Sequence, residues 1–251
     1  MEIMDPSLKE KLWHQMREDL AKYVPATHSN SLLMCPACGR FLAQQDFTLE
    51  HLIPQQALAD DPIPVKIQAS ANLRSGNLLL CKKPLKVGGR IVYPQGCNSW
   101  KGRSYDRCIR EYLNGSAVSN SNKTVTMRHN IAIVCLAYLA MVREYGYQIA
   151  LTASGNLLRR QFFEPNRFIN GMPDRTQVIL AAGPVDYKEG ALSFWTDPFH
   201  FKMDQGFCVV TIKNIALALP LSRDPGIPIA QHLVIKPTRY ILRPDFSTRF
   251  D

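Results

Sequence analysis

Leu49-Glu50-His51-Leu52-Ile53-Pro54 lies between two sets of cysteines, Cys35-Pro36-Ala37-Cys38-Gly39 ahead of it and Cys81-Lys82 with Cys97-Asn98 behind it. In Cys35-Pro36-Ala37-Cys38 the two-residue gap lets two thiolates grip one tetrahedral ion while nearby backbone amides soften their charge. Such a pair alone is common. Cys81, after the apolar run Leu78-Leu79-Leu80, and Cys97, before Asn98, can complete a four-sulfur zinc site, with Pro84 to Gly96 read as a looped insertion between them. The competing reading is a scatter of reduced thiols. Each of these four cysteines has Pro, Gly, Lys or Asn beside it, a context that suits ligand-bearing turns. Cys135 and Cys208 instead lie in the apolar strings Ile133-Val134-Cys135-Leu136 and Phe207-Cys208-Val209-Val210, where a thiol acts as a small hydrophobe. Cys108 falls on the apolar side of a predicted helix and takes the same reading.

Working outward, Phe47 to Ile53 suits a short strand that Pro54 ends. Adjacent strand residues point to opposite faces, so Glu50 and His51 could address one phosphate only near a bend or bulge. Asn98 can cap a helix from Ser99 to about Leu113, in which Tyr105, Cys108, Ile109 and Tyr112 form a buried stripe and Arg103, Arg107 and Arg110 a basic row. Asn114-Gly115-Ser116 stops that helix, and 116–124 reads as a linker. Upstream, Asp5-Pro6 is a helix start, and Leu8, Leu12, Met16 and Leu20 predict a helix to about Tyr23 within an N-terminal unit, 1–31. Downstream, 125–251 reads as a second α+β unit. It has a helix from Asn130 to about Tyr145, a helix capped by Ser154 running to Phe163, and strands at Val178-Ile179-Leu180, Leu192-Ser193-Phe194-Trp195, Phe207 to Ile215 and Leu233-Val234-Ile235. Nothing in this unit displays catalytic spacing, and no internal repeat occurs.

Composition narrows the function classes. With 251 residues and 46% hydrophobic content the chain can bury a sizeable core, which excludes disordered and fibrous classes. Its longest apolar run, Ile131 to Val142, is too short to cross a bilayer. The N-terminus lacks a basic and then apolar leader, so a cytoplasmic, reducing compartment is expected, where spaced cysteines suggest metal before disulfide. The formal net charge is +9, and from Cys81 to Arg110 there are eight basic residues against the single acid Asp106. A polyanionic partner is plausible on that ground.

Taken in order, two cysteines, an acid-His-x-x-Pro segment, an Asn followed by an apolar run into a Cys, and Cys-Asn opening a helix resemble the HNH endonuclease family, with its ββα-metal finger, in a zinc-stapled four-cysteine form. The resemblance covers roughly 32–115, and its specificity lies in the ordered set. It implies an α+β chain whose ββα-metal module hydrolyses phosphodiester bonds in DNA. His51 would be the general base, and Glu50 a carboxylate ligand to one catalytic Mg²⁺ or Mn²⁺. Asn77, or alternatively Asn72, would orient the histidine, while Asn98 would complete the metal site. Lys101 could hold a phosphate, and Arg103, Arg107 and Arg110 would contact the nucleic-acid backbone, double-stranded DNA being the expected partner. Zinc on Cys35, Cys38, Cys81 and Cys97 would be structural. The family also implies phage-defence or mobile-element settings, in a homo-oligomer or larger complex, by analogy alone. Asn77 and Asn98 could instead merely cap a turn and a helix. His14, His28, His129, His200 and His232 have no partner motif and read as structural. The alternative function is a zinc-stapled nucleic-acid-binding module without nuclease activity.

Overall fold

A computed structural model describes residues 7–59, 76–87, 90–93, 95–114, 126–166, 179–182, 199–204, 207–213 and 215–221. Helix α1 (Leu8–Ala21) opens with a capping box. Ser7 Oγ accepts from the Glu10 amide at 3.3 Å, and the Glu10 carboxylate accepts from the Ser7 amide at 2.8 Å. The cap is thus Ser7; the expected Asp5-Pro6 start lies outside the described residues. The four-residue spacing buries Leu12, Met16 and Leu20 on one face with Trp13, whose ring meets Phe47 at 5.6 Å.

After the short α2 (Thr27–Asn30), strands β1 (Leu33–Met34) and β2 (Phe41–Leu42) form a small antiparallel hairpin around the first cysteine pair. Strand β3 (Phe47–His51), followed by α3 (Gln55–Ala59), pairs antiparallel with β4 (Asn77–Cys81) in a register running from Phe47 opposite Cys81 to His51 opposite Asn77. The expected looped insertion holds a two-stranded ribbon, β5 (Leu85–Val87) and β6 (Arg90–Tyr93). It leads to α4 (Gly96–Lys101), which passes through a π turn (Gly102–Asp106) into α5 (Arg107–Leu113). Gln95, rather than Asn98, holds the N-cap position, and Asn98 lies inside α4.

Among the described residues, the buried apolar ones of the second half belong to the same core cluster as those of the first. Helix α6 (Met127–Tyr145) is buried from Ile131 to Tyr145 and packs against α5, the π turn and β4. Its apolar residues belong to the same core cluster as those of β1, β4 and α5. The expected unit boundary, 116–124, lies outside the described residues, but the elements on either side share one interior. Gly146, at φ +76, turns the chain into α7 (Tyr147–Leu151), whose Tyr147 amide donates to the buried Asp19 of α1 at 2.7 Å. Helix α8 (Ala153–Gln161) is capped by Thr152, which accepts from the Gly155 amide at 3.0 Å; Ser154, the expected cap, is buried inside the helix.

Strands β7 (Ile179–Ala182), β8 (Phe199–Asp204), β9 (Phe207–Ile212) and β10 (Ile215–Pro220) form an antiparallel sheet in the order β7-β10-β9-β8. The stretch from Phe207 to Ile215, expected as one strand, is a hairpin whose turn places Lys213 at φ +53. The sheet meets α6 through Phe201, 5.6 Å from Tyr145, and Phe199, 5.6 Å below the Arg143 guanidinium. The expected strands at Leu192–Trp195 and Leu233–Ile235 lie outside the described residues. Among the described residues no helix is long and apolar enough to cross a membrane.

Candidate metal centre and strand-end cluster

The four cysteines singled out by spacing come together. The Sγ atoms of Cys35, Cys38, Cys81 and Cys97 all lie within 4.8 Å of one another. Cys81 stands 3.6 Å from Cys38 and 3.4 Å from Cys97. A tetrahedral ion with bonds of about 2.3 Å to sulfur requires sulfurs about 3.8 Å apart, so the set could hold a metal and is compatible with structural zinc. Each sulfur is placed by ordinary backbone chemistry. In the knuckle, the Gly39 amide donates to the Cys35 carbonyl at 2.8 Å and the Cys35 amide to the Arg40 carbonyl at 2.9 Å, with Gly39 at φ +72. Cys81 ends β4, and its amide points at Cys35 Sγ from 3.5 Å. Cys97 lies in the first turn of α4.

Arg40 completes the surroundings. Its guanidinium donates to Cys38 Sγ at 3.2 Å and Cys81 Sγ at 3.3 Å, and to the carbonyls of Pro84 and Lys83 at 2.8 and 3.1 Å. Hydrogen bonds from Cys35, Cys81 and Cys97, reinforced by Arg40, hold the Cys38 thiol well below the ordinary range, favouring the thiolate that a metal needs. Helix α6 closes the cover: Tyr138 donates to the Pro36 carbonyl at 2.9 Å, and Tyr147 beyond it donates to the Met34 carbonyl.

Gly96 fixes how closely α4 approaches β4. It sits at φ +81, and a Cβ there would lie 2.4 Å from the Lys82 carbonyl carbon and 2.7 Å from the Cys81 carbonyl oxygen. Gly96→Ala should therefore push the last two sulfurs apart, at a cost on the order of 3 kcal/mol, and loosen the metal site. Denaturant unfolding with metal analysis of the same sample checks this; an alanine variant of unchanged stability and metal content would refute it.

The second cluster is at the open end of the β3–β4 pair. Glu50 is 6% exposed, and its Oε1 lies 2.7 Å from Lys101 Nζ. The same ammonium donates to Asp106 Oδ1 at 2.7 Å and to the His51 carbonyl at 3.1 Å. Burial pushes the Glu50 carboxyl up from its ordinary value, against the pull of Lys101. Burial also opposes the charge on Lys101, but attraction to Glu50 and Asp106 prevails and raises its pKa.

The expected site residues therefore divide. Glu50 and Lys101 are joined, and Asn98 lies beside them, its amide donating to Thr48 Oγ1 and the Leu49 carbonyl, each at 3.0 Å. His51 is half-buried, with its Nε2 3.5 Å from the Gln55 amide nitrogen, and Asn77 is fully buried directly across the ladder from it. Asn72, the alternative to Asn77, lies outside the described residues. Lys101 corrects an expectation: at 1% exposure, with both carboxylates on it, it faces inward rather than toward a phosphate. Asp106 is the residue that spacing missed.

The basic row is also modified. Arg103 and Arg107 are exposed and Arg110 half-buried, but Arg107 Nε lies 2.9 Å from Glu111, an acid just past the stretch counted as basic. Glu111 also receives His129 Nε2 at 2.7 Å, which gives that histidine a surface partner.

Against protein-family models, curated proteins and solved structures, the chain finds no match.

Proposed function

We propose that the chain is a metal-dependent endonuclease of the HNH kind that hydrolyses phosphodiester bonds in DNA, its module stapled by zinc on Cys35, Cys38, Cys81 and Cys97. The observation that carries this reading is the strand end itself. An antiparallel pair places His51 opposite Asn77, and the helix that follows lies against β3 through Asn98 and Lys101, with the four-sulfur cluster at the other end of the same ladder.

In this reading the half-exposed imidazole of His51, at the end of β3, accepts the proton of the attacking water. Asn77, directly across the ladder, orients it. Glu50 fits one ligand of a hard divalent ion, because it is an oxygen donor with one oxygen already fixed, and such ions take one or two protein carboxylates and complete their shell with water and phosphate. When bound, Mg²⁺ or Mn²⁺ would stabilise charge on the leaving 3′-oxygen. Asn98, with its amide nitrogen tied to β3, is the second side chain beside that position.

Plasmid digestion by zinc-loaded protein, with Mg²⁺ or Mn²⁺ and with a chelator control, tests the reading. Metal-dependent nicking or cutting supports it, and no cleavage under either ion rejects it. One observation favours a second reading, a zinc-stapled nucleic-acid-binding module without cleavage: the carboxylate of Glu50 is already engaged by Lys101. Tight DNA binding with no cutting under any divalent ion would decide for it.

Both readings place phosphate contacts on the basic helix face. Arg107, with 88% of its side chain exposed, can swing from Glu111 to a phosphate. Arg107→Ala should weaken binding across sequences and reduce the salt slope of log K by about 0.9, one phosphate contact. Affinity titrations at several salt concentrations measure this, and an unchanged slope would remove Arg107 from the interface.

A further inference from the structure

Three acceptors converge on one buried ammonium. Lys101 Nζ carries three N–H groups, and Glu50 Oε1, Asp106 Oδ1 and the His51 carbonyl stand at 2.7, 2.7 and 3.1 Å, so every donor is used. Lys101 and Asp106 are five residues apart. At about 100° per residue a regular α-helix would set them roughly 140° apart around its axis, on different faces. They meet because Gly102–Asp106 is a π turn, whose wider coil brings residue i+5 back over residue i. A buried ion cluster is a poor device for stability, since desolvating its charges cancels most of their attraction. What this one does provide is geometry: it ties the Glu50 carboxylate and the main chain of His51 to a single point.

We propose that Lys101 and Asp106 are positioning residues for the strand end. Lys101 fixes one oxygen of Glu50 and the carbonyl of His51, leaving the other Glu50 oxygen to a divalent cation, and Asp106 holds the ammonium in place. Two carboxylates and one ammonium leave the cluster one net negative charge, and without Asp106 it would be neutral. The inference rests on the endonuclease reading, because it assigns these residues to the cation of that reaction.

The test uses the full-length zinc-loaded chain with Mn²⁺ as the probe. Mn²⁺ binding by calorimetry, the Mn²⁺ dependence of plasmid nicking, and thermal melting are compared for wild type, Asp106→Asn, Asp106→Ser and Asp106→Glu. Asp106 has 28% of its side chain exposed, and the asparagine variant is isosteric, so folding should be retained; the serine variant is the reserve if it is not. The expected result is a Mn²⁺ dissociation constant raised about tenfold or more in Asp106→Asn or Asp106→Ser, with the half-saturating Mn²⁺ for nicking shifted to match. Asp106→Glu, which keeps the charge, should recover most of the affinity. A lowered melting temperature with unchanged Mn²⁺ affinity would reduce the cluster to a structural salt bridge and overturn the inference alone. A wild type that neither binds Mn²⁺ nor nicks DNA would overturn the endonuclease reading and this inference with it.

Discussion

Cys97→Ser should lose the metal and, with it, the folded state of the first half of the chain. Wild-type protein is expected to carry about one zinc per chain, and a structural zinc contributes apparent binding free energies of about 10–16 kcal/mol in small peptides. Whole domains are stable by only about 5–15 kcal/mol, so losing one of four sulfurs removes an amount comparable with everything that keeps the module folded. The effect should reach the second half of the chain as well, because the knuckle is held by Tyr138 and Tyr147 in addition to its own hairpin. Cys135→Ser is the contrast. That thiol is buried in α6, outside the four-sulfur set, so the variant should keep its zinc and lose only modest stability for an ill-matched hydroxyl in an apolar site. Metal analysis and denaturant melts on the two variants and wild type decide the matter. A Cys97→Ser protein with wild-type zinc and wild-type melting would overturn the metal assignment.

If the proposed endonuclease reading holds, His51→Ala should abolish most cleavage while leaving the protein folded and DNA-bound. A positioned general base contributes typically 10²–10⁴-fold, about 3–5 kcal/mol of barrier, and that is the expected loss in kcat. The imidazole is half-buried at the end of β3, and Lys101 donates to the backbone carbonyl of His51, which alanine keeps, so the Lys101 contacts should survive its removal. Melting temperature, zinc content and the apparent KM for DNA should therefore stay close to wild type while kcat falls. Full cutting by the variant would remove His51 from the mechanism, and an equal loss of binding and cutting would make it a contact residue.

The parts of this arrangement readable from sequence were those governed by local rules. A two-residue cysteine gap, turn residues beside each ligand, and a long apolar run with helical composition gave the four-sulfur set and α6 directly, because each depends on near neighbours in the chain. The strand before Pro54 was legible for the same reason. Asp106 was not, since helical periodicity assumes 3.6 residues per turn and a π turn breaks that count, carrying a residue from an unexpected face onto Lys101. Lys101 itself misled because lysine is ordinarily a surface residue, and only its two carboxylates and a carbonyl make burial affordable. The hairpin within Phe207 to Pro220 was hidden because its turn carries lysine at positive φ, with no glycine at that position to mark it. The shared core was invisible for a broader reason: a polar stretch in sequence says where the chain crosses the surface, and nothing about whether the pieces on either side pack together.

That shared core bears on portability. Gly76, one residue before Asn77, sits at φ +64 beneath Phe199 of the sheet and Arg143 of α6, at 3.0 and 3.3 Å from where a Cβ would stand. Gly76, at the entry to the strand end, is thus roofed by side chains from 123 and 67 positions further along the chain. A fragment ending near Leu113 would carry the whole motif and none of this roof, leaving an oily face in water where α6 belongs. The motif is contiguous in sequence, yet it cannot be lifted out as a cassette: the smallest heritable piece that keeps its shape includes the half of the chain that carries no motif.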